Sequence, residues 1–365
     1  VRCQDYASDD TGYTGRQIHG GSELMTEHSD NVISGHPYDA LKPDALLDAM
    51  EDAGFAVSGR LFALNSYENR VYQIGLDEGP PVIAKFYRPG RWTEASIREE
   101  HSFTKELEAA DIPVVAPLTL PNGDTLGQSG PFRFAVFPQR GGQAPDVSVE
   151  DTLYRLGQWL GQIHNVGAAR KFSHRPDLSV ASIPAGIEQH NELLLEGNWV
   201  PRDLRPAWDS LMADLLRLCR TRINDAGNIN TLRLHGDCHA GNILCREERM
   251  LFVDLDDCRS GPAIQDMWLL LNGEDNERGA QLGEILEGYE MFRPFDRRER
   301  HLIEPLRCYR QIGHCAWLAK RWDDPAFPRF FPWFGQPRFW SDQILSLREQ
   351  LSALQAPSIS LPGQY

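Results

Sequence analysis

The chain has 365 residues, 41% of them hydrophobic and nine of them Trp, enough to bury a large core and to divide into two lobes. Its 52 acidic against 37 basic residues leave a net charge of −15 with no Lys/Arg-rich run, which argues against a nucleic-acid or anionic-membrane partner. Seven scattered cysteines without a Cys-x-x-Cys pair, no apolar run of the ~20 residues a membrane helix needs, and no signal-peptide apolar core point to free thiols in a reducing cytoplasm.

Residues 1–30, rich in Gly, Ser, Thr and acidic residues without periodicity, read as a disordered extension, with Met25 a candidate internal start. Ala45, Leu46, Ala49 and Met50 recur at helical spacing over Pro43–Ala53, and Gly54 is placed to end that helix. Three strands are expected at Gly59–Asn65, Arg70–Leu76 and Pro81–Tyr87, then a helix over Thr93–Ala110. A strand pair follows around Asn122-Gly123-Asp124 and Arg133–Phe137. After Phe137-Pro138, Gly141-Gly142 mark a linker to a mostly helical remainder. Its helices are expected along Leu153–Ile163, Trp208–Ile223, Gln265–Leu271, Gln281–Phe292 and Arg300–Trp322. Lys171–Arg205 reads as irregular, either shaping a substrate site or forming a surface insert. The aromatic, proline-rich run Pro325–Trp340 reads as too kinked for regular structure, a packed loop in preference to a ligand surface. The expected fold is α+β in two lobes, residues 31–138 covering a nucleotide and residues 139–365 holding catalysis and substrate.

The chemistry concentrates in His235-Gly-Asp237-Cys-His239-Ala-Gly-Asn242 and Val253-Asp254. Two short apolar runs bracket the polar loop, suggesting two strands that present Asp237, Asn242 and Asp254 at one end. A carboxylate for the proton of a hydroxyl and two hard oxygen ligands for Mg²⁺ are the set phosphoryl transfer needs. Asp237 is thus the candidate base, with Asn242 and Asp254 the candidate metal ligands; Asp254 counts with the catalytic pair as well. His235 is read as fixing the loop through its backbone, and Asp266 as a capping or loop-tethering carboxylate, while Asp256 and Asp257 stay ambiguous. The alternation of His235, Asp237 and His239 raises a zinc site, but Gly236 and Gly241 argue for a loop and no remote Cys/His cluster completes a tetrahedron. Lys85 ends an apolar strand, where it either snorkels at an edge or pairs nucleotide phosphates. Ile97, Glu100, Thr104 and Leu107 share a helix face, so Glu100 is the expected partner of Lys85, with Glu99 as fallback. The segment Leu64–Arg70 has no glycine; it is either a hairpin turn or a phosphate cap made by backbone N–H groups and Ser66, with Phe137 at an adenine-contacting hinge.

Asn65–Tyr72, Lys85-Phe-Tyr-Arg-Pro89, Leu234–Leu244, Phe252–Asp257, Trp322-x-Asp-Pro-Ala-Phe-Pro328 and the terminal Tyr365 resemble the bacterial stress response kinase A family, in the aminoglycoside phosphotransferase and choline kinase-like branch of the protein kinase fold. The resemblance runs from about Leu41 onward. It implies a cytoplasmic enzyme, active under envelope or oxidative stress, that uses ATP and Mg²⁺ to phosphorylate protein Ser/Thr. It also implies Asp237 as catalytic aspartate, Asn242 and Asp254 as metal ligands and Ser66 on ATP. The chain is expected to act as a monomer. Two other readings stand beside this one: a small-molecule kinase acting on an amino alcohol or aminoglycoside-like hydroxyl, and a non-catalytic binding module, against which the intact Lys85, Asp237, Asn242 and Asp254 speak. The short span from Asp254 to Gln265 leaves no room for a long activation loop, so no switch by phosphorylation there is expected.

Overall fold

A computed structural model describes residues 38, 40–64, 66–247 and 249–361. The extension at residues 1–30 with Met25, as well as Asn65 and Tyr365, lies outside the described residues. Helix α1 (Pro43–Asp52) carries its proline in the first turn, where a missing N–H costs nothing, and buries Leu46, Ala49 and Met50. Gly54 follows at φ +85°, a left-handed conformation that suits the residue after a helix end. Strands β1 (Val57–Ala63), β2 (Arg70–Leu76), β3 (Val82–Phe86), β4 (Gly127–Ser129) and β5 (Phe132–Pro138) form an antiparallel sheet in the order β1-β2-β3-β5-β4. Ile74, Val82, Ala84, Phe86, Phe134 and Val136 pack with Leu46 and Met50 into a small core.

Helix α2 (Glu94–Ala109) is N-capped by Thr93, whose hydroxyl accepts from Ser96 N at 3.1 Å. Its Phe103 and Leu107 belong to the large core of the second lobe, so this helix joins the sheet to the helical half. That half contains α3 (Thr152–Ala168), α4 (Ser182–Glu196), α5 (Arg205–Ala226), α6 (Asp275–Tyr289), α7 (Ile303–Lys320), α8 (Ala326–Phe330) and α9 (Pro337–Gln355). Between α5 and α6 lie four short strands, β6 (Leu232–Leu234), β7 (Ile243–Arg246), β8 (Arg249–Phe252) and β9 (Arg259–Gly261). Helices α3 and α6 cross backbone to backbone: a side chain at Gly157 would meet the carbonyl of Ile285, and one at Gly288 that of Tyr154. Among the described residues no helix is long and apolar enough to cross a membrane.

Several expectations need correction. The segment 171–205, read as irregular, contains α4, which buries Ile183, Ile187 and Leu194. These three apolar positions are diluted by the polar residues between them, which hides the period. The helix expected over Gln265–Leu271 is two 3₁₀ turns, Ala263–Asp266 and Trp268–Leu270; Gln265 and Asp266 are drawn into bonds with the loop at His235 and Gly236. The aromatic run holds α8 and the start of α9, because Pro325 precedes a helix and Pro337 opens one. It is packed, with Phe327, Phe334 and Trp340 buried. The strand placed at Asn122–Asp124 is instead a turn, Asp124 N donating to Asn122 Oδ1 at 3.0 Å, and the strand begins at Gly127. The apolar runs around Asp237 are strands as expected, β6 pairing with β9 and β7 with β8.

Candidate active site

Strand β3 alternates: Ala84 and Phe86 enter the small core, so Lys85 projects from the opposite face toward the helical lobe. Its ammonium lies 2.9 Å from Asp254 Oδ1, 3.2 Å from Asp256 Oδ1 and 3.8 Å from Glu100 Oε1. Burial by itself would strip its proton, and Asp254, Asp256 and Glu100 more than reverse this, so Lys85 stays charged. Glu100 is 3% exposed, and burial pushes its carboxyl up to about 7 against the pull of Lys85.

The sequence reading missed two further members of this cluster. Arg91 pairs with Asp256 and, at 2.9 Å, with Asp257 Oδ1. Arg175 is buried with its guanidinium 4.1 Å from the centre of the Trp92 ring and 4.0 Å from Glu100, and it donates to the carbonyls of Asp256 and Cys258. Glu99, the fallback partner for Lys85, is engaged elsewhere. Its carboxylate accepts from the backbone N–H groups of Ser173, His174 and Arg175 at 2.7, 2.7 and 3.0 Å. A chain segment 75 residues away in sequence is thereby strapped to α2. A lone arginine in an irregular stretch carries no sequence signal for this.

The loop after β6 is held from behind. Asp266 accepts from His235 N and Gly236 N, both at 2.8 Å, and its other contact is His164, which in turn bonds Tyr289 of α6. Gly236 has φ +86°, and a Cβ there would meet the carbonyl of Asp257, so only glycine fits. His235 Nε2 bonds the Val253 carbonyl at 2.9 Å. His239 Nδ1 accepts from Gly241 N at 3.0 Å, which puts the proton on Nε2, 3.5 Å from Asp237 Oδ2. Both imidazoles are thus occupied inside the loop. Cys238 is buried, and burial, with the nearby charges of Asp266 and Asp237, raises its thiol well above the usual value.

Asn242 and Asp254 stand at the same end of the β7–β8 hairpin, where Ile243 pairs with Phe252 and Val253 N donates to the Asn242 carbonyl at 3.0 Å. Asn242 Nδ2 donates to the Asp237 carbonyl at 2.9 Å, which brings Asp237 to that end as well. Asp254 adopts φ +59°, uncommon for a residue with a side chain, and its carboxylate is 55% exposed. Burial would raise the Asp237 carboxyl, but His239 and the charge of Arg310 overcome this and hold it well below the usual range.

Arg310, on α7, also escaped the sequence reading. Its Nη1 lies 2.7 Å from Asp237 Oδ1, and its side chain is 48% exposed. Arg310, His314, Trp317 and Arg321 follow one face of α7 at helical spacing, but nothing in the sequence says what that face meets. Ser66 is half-buried and makes no hydrogen bond to a described residue. Phe137 pairs with Ile83 in the sheet, its ring 6.4 Å from that of His101. The following linker is pinned to β7 by two backbone bonds between Gln143 and Cys245.

Residues 61–303 match the phosphotransferase enzyme family. Stress response kinase A of Escherichia coli strain K12 is 41% identical over 332 residues, covering 91% of this chain and 99% of that protein. The chain is a phosphotransferase of the stress response kinase A family. A second relative, the serine/threonine protein kinase RdoA of Salmonella typhimurium, is 41% identical over 341 residues, covering 92% of this chain and all of that one. Among solved structures, amicoumacin kinase hAmiN in complex with AMP-PNP and Ca²⁺ superposes with a TM-score of 0.64 at 18% identity, covering 87% of this chain and 95% of that one. The microcompartment-associated aminopropanol kinase gives 0.58 at 15% identity, covering 86% and 97%. These two likenesses carry the kinase-like α+β fold of this phosphotransferase.

Proposed function

We propose that this phosphotransferase is a serine/threonine protein kinase that moves the ATP γ-phosphoryl group to a protein hydroxyl, with Asp237 as base. On this reading residues 31–138 cover the nucleotide, and residues 139–365 hold the base, the metal ligands and the acceptor, in a monomeric cytoplasmic enzyme of the bacterial stress response. Lys85, oriented by Glu100, pairs the phosphates, Ser66 contacts ATP, and Phe137 packs at the adenine edge. Asn242 Oδ1 and Asp254 Oδ2 have no polar partner among the described residues, and two free hard oxygens at one hairpin end fit Mg²⁺, whose remaining ligands come from phosphate and water. Bound there, Mg²⁺ would neutralise charge on the phosphate oxygens. The acceptor hydroxyl gives its proton to an Asp237 oxygen, which is ionised and within reach of solvent.

Arg310 carries the choice of acceptor. The Salmonella relative bears the name of a serine/threonine kinase, and Arg310 puts positive charge on the acceptor side of the base. Paired with Asp237, Arg310 offsets the carboxylate's charge and so withholds from a cationic amino alcohol or aminoglycoside the attraction that an unpaired carboxylate would give. Incubation with labelled ATP, Mg²⁺ and a cell lysate tests the reading. Label on protein is expected; label only on small solutes would replace it with the small-molecule alternative.

A further inference from the structure

Three sequence segments that mark the family meet at one place: residues 67–69 before β2, Arg88 after β3, and the Trp322–Pro328 run. The Glu68 carboxylate, 13% exposed, accepts from Trp317 Nε1 at 2.6 Å and from Arg321 Nη2 at 2.8 Å, with Arg321 Nε also at 2.6 Å. Arg88 adds an ion pair to the same carboxylate at 3.2 Å and reaches Asp324 at 2.6 Å. Arg88 Nε and the Tyr38 hydroxyl both donate to the Glu68 carbonyl at 3.1 Å. One residue earlier, the Tyr67 ring packs on Phe330 and Phe331, with centroids 5.2 and 5.0 Å away. One residue later, Asn69 donates to Asp256 at 3.2 Å, within the Lys85 cluster.

Residues 67–69 are therefore fastened by their side chains to the opposite lobe, at Trp317, Arg321, Phe330 and Asp256. A covering loop rich in glycine closes on phosphates by its own flexibility. This one has none from Leu64 to Arg70 and cannot work in that way. Charge-assisted bonds to a shielded carboxylate are strong and directional, and the donors from the opposite lobe, Trp317 and Arg321, lie on and just after the helix that carries Arg310.

We propose that Glu68 is a positioning residue: it clasps the nucleotide-covering loop to Trp317 and Arg321 across the cleft, so that Ser66 and the loop backbone are held over the phosphates and nucleotide leaves only when the clasp opens. This rests on the reading of the cleft as an ATP site. The test uses the full chain with Mg²⁺ and a fluorescent ADP analogue, following its dissociation on chase with unlabelled ADP, together with KM for ATP and kcat in ATP turnover. Glu68→Gln keeps size without charge, and Trp317→Phe keeps the ring without the donor. Each is expected to speed dissociation about tenfold and to raise KM for ATP by more than it changes kcat. The double variant is expected to go little further than either single one, because the two act through one contact. Glu51→Gln, on the exposed side of α1, serves as control. Unchanged dissociation and KM in both single variants, or fully additive effects in the double, would overturn the clasp. No analogue binding to the wild-type chain would instead overturn the ATP-site reading. Thermal unfolding close to wild type is expected of each variant, and Trp317→Phe, which leaves every charge in place, carries the test alone should Glu68→Gln fail to fold.

Discussion

The two walls of the cleft are built on opposite terms. Around Lys85, carboxylates and guanidinium groups are buried and each has several partners: Asp256 alone meets Lys85, Arg91 and Asn69. Around Asp237 the groups are half-exposed, and among the described residues Arg310 has Asp237 as its only polar partner. A wall with redundant, desolvated pairing is fixed in geometry and expensive to alter, whereas the part-exposed Arg310–Asp237 pair can change partners at smaller cost. On the proposed reading, the first wall holds the nucleotide and the second meets the acceptor.

The largest effect is expected where chemistry depends on one group. Asp237→Asn should lower kcat in an ATP turnover assay by roughly 10²–10⁴ with little change in thermal unfolding; a rate within a few-fold of wild type would remove Asp237 from the role of base. On the opposite wall the damage should be to stability first. Lys85→Met leaves Asp256 and Glu100 short of a cation, and denaturant unfolding should show a loss of roughly 3–5 kcal/mol.

The scaffold behind the Asp237 wall carries its own titration. Glu299 is 5% exposed, its carboxylate accepts from Ile264 N at 2.8 Å, and burial pushes its carboxyl up to about 8. Because the folded value lies above the unfolded one, the stability tied to this proton is complete below about 4.5 and is lost as pH rises toward 8. Relative to wild type, Glu299→Gln should therefore gain stability across that window, by roughly 2–4 kcal/mol at the top, and match it below pH 4.5. A pH-independent difference between the two would reject the buried, protonated state. The smallest effect belongs to Arg310→Ala, expected to shift unfolding by no more than ~0.5 kcal/mol while changing KM for a protein acceptor a few-fold. If it shifted KM for ATP instead, the division between the walls would fail.

Helices α1 and α2 were legible because a period of 3.6 runs through them, and their ends carry Pro43, Gly54 and Thr93. Asp237, Asn242 and Asp254 stand out because close sequence spacing reports on a single loop and hairpin. What stayed hidden is of another kind. Arg91, Arg175 and Arg310 act through partners far along the chain, and an exposed-looking arginine reads the same whether it ends in solvent or in a carboxylate. The aromatic run misled for a related reason: proline predicts a break, yet at a first helical turn it predicts a start, and only the packing of Phe334 and Trp340 distinguishes the two.

Cys238 sits immediately beside Asp237, a position where sulfur chemistry could shut the enzyme off. Its thiol is sealed from solvent and kept protonated, as is that of Cys258 near the Lys85 cluster, and a protonated, shielded thiol is a poor nucleophile toward peroxide or alkylating agents. The half-buried Cys245, on β7, is the more accessible of the three. The loop at Asp237 thus carries a cysteine yet is insulated from oxidants, and turnover should persist at peroxide doses that disable enzymes with an activated thiolate.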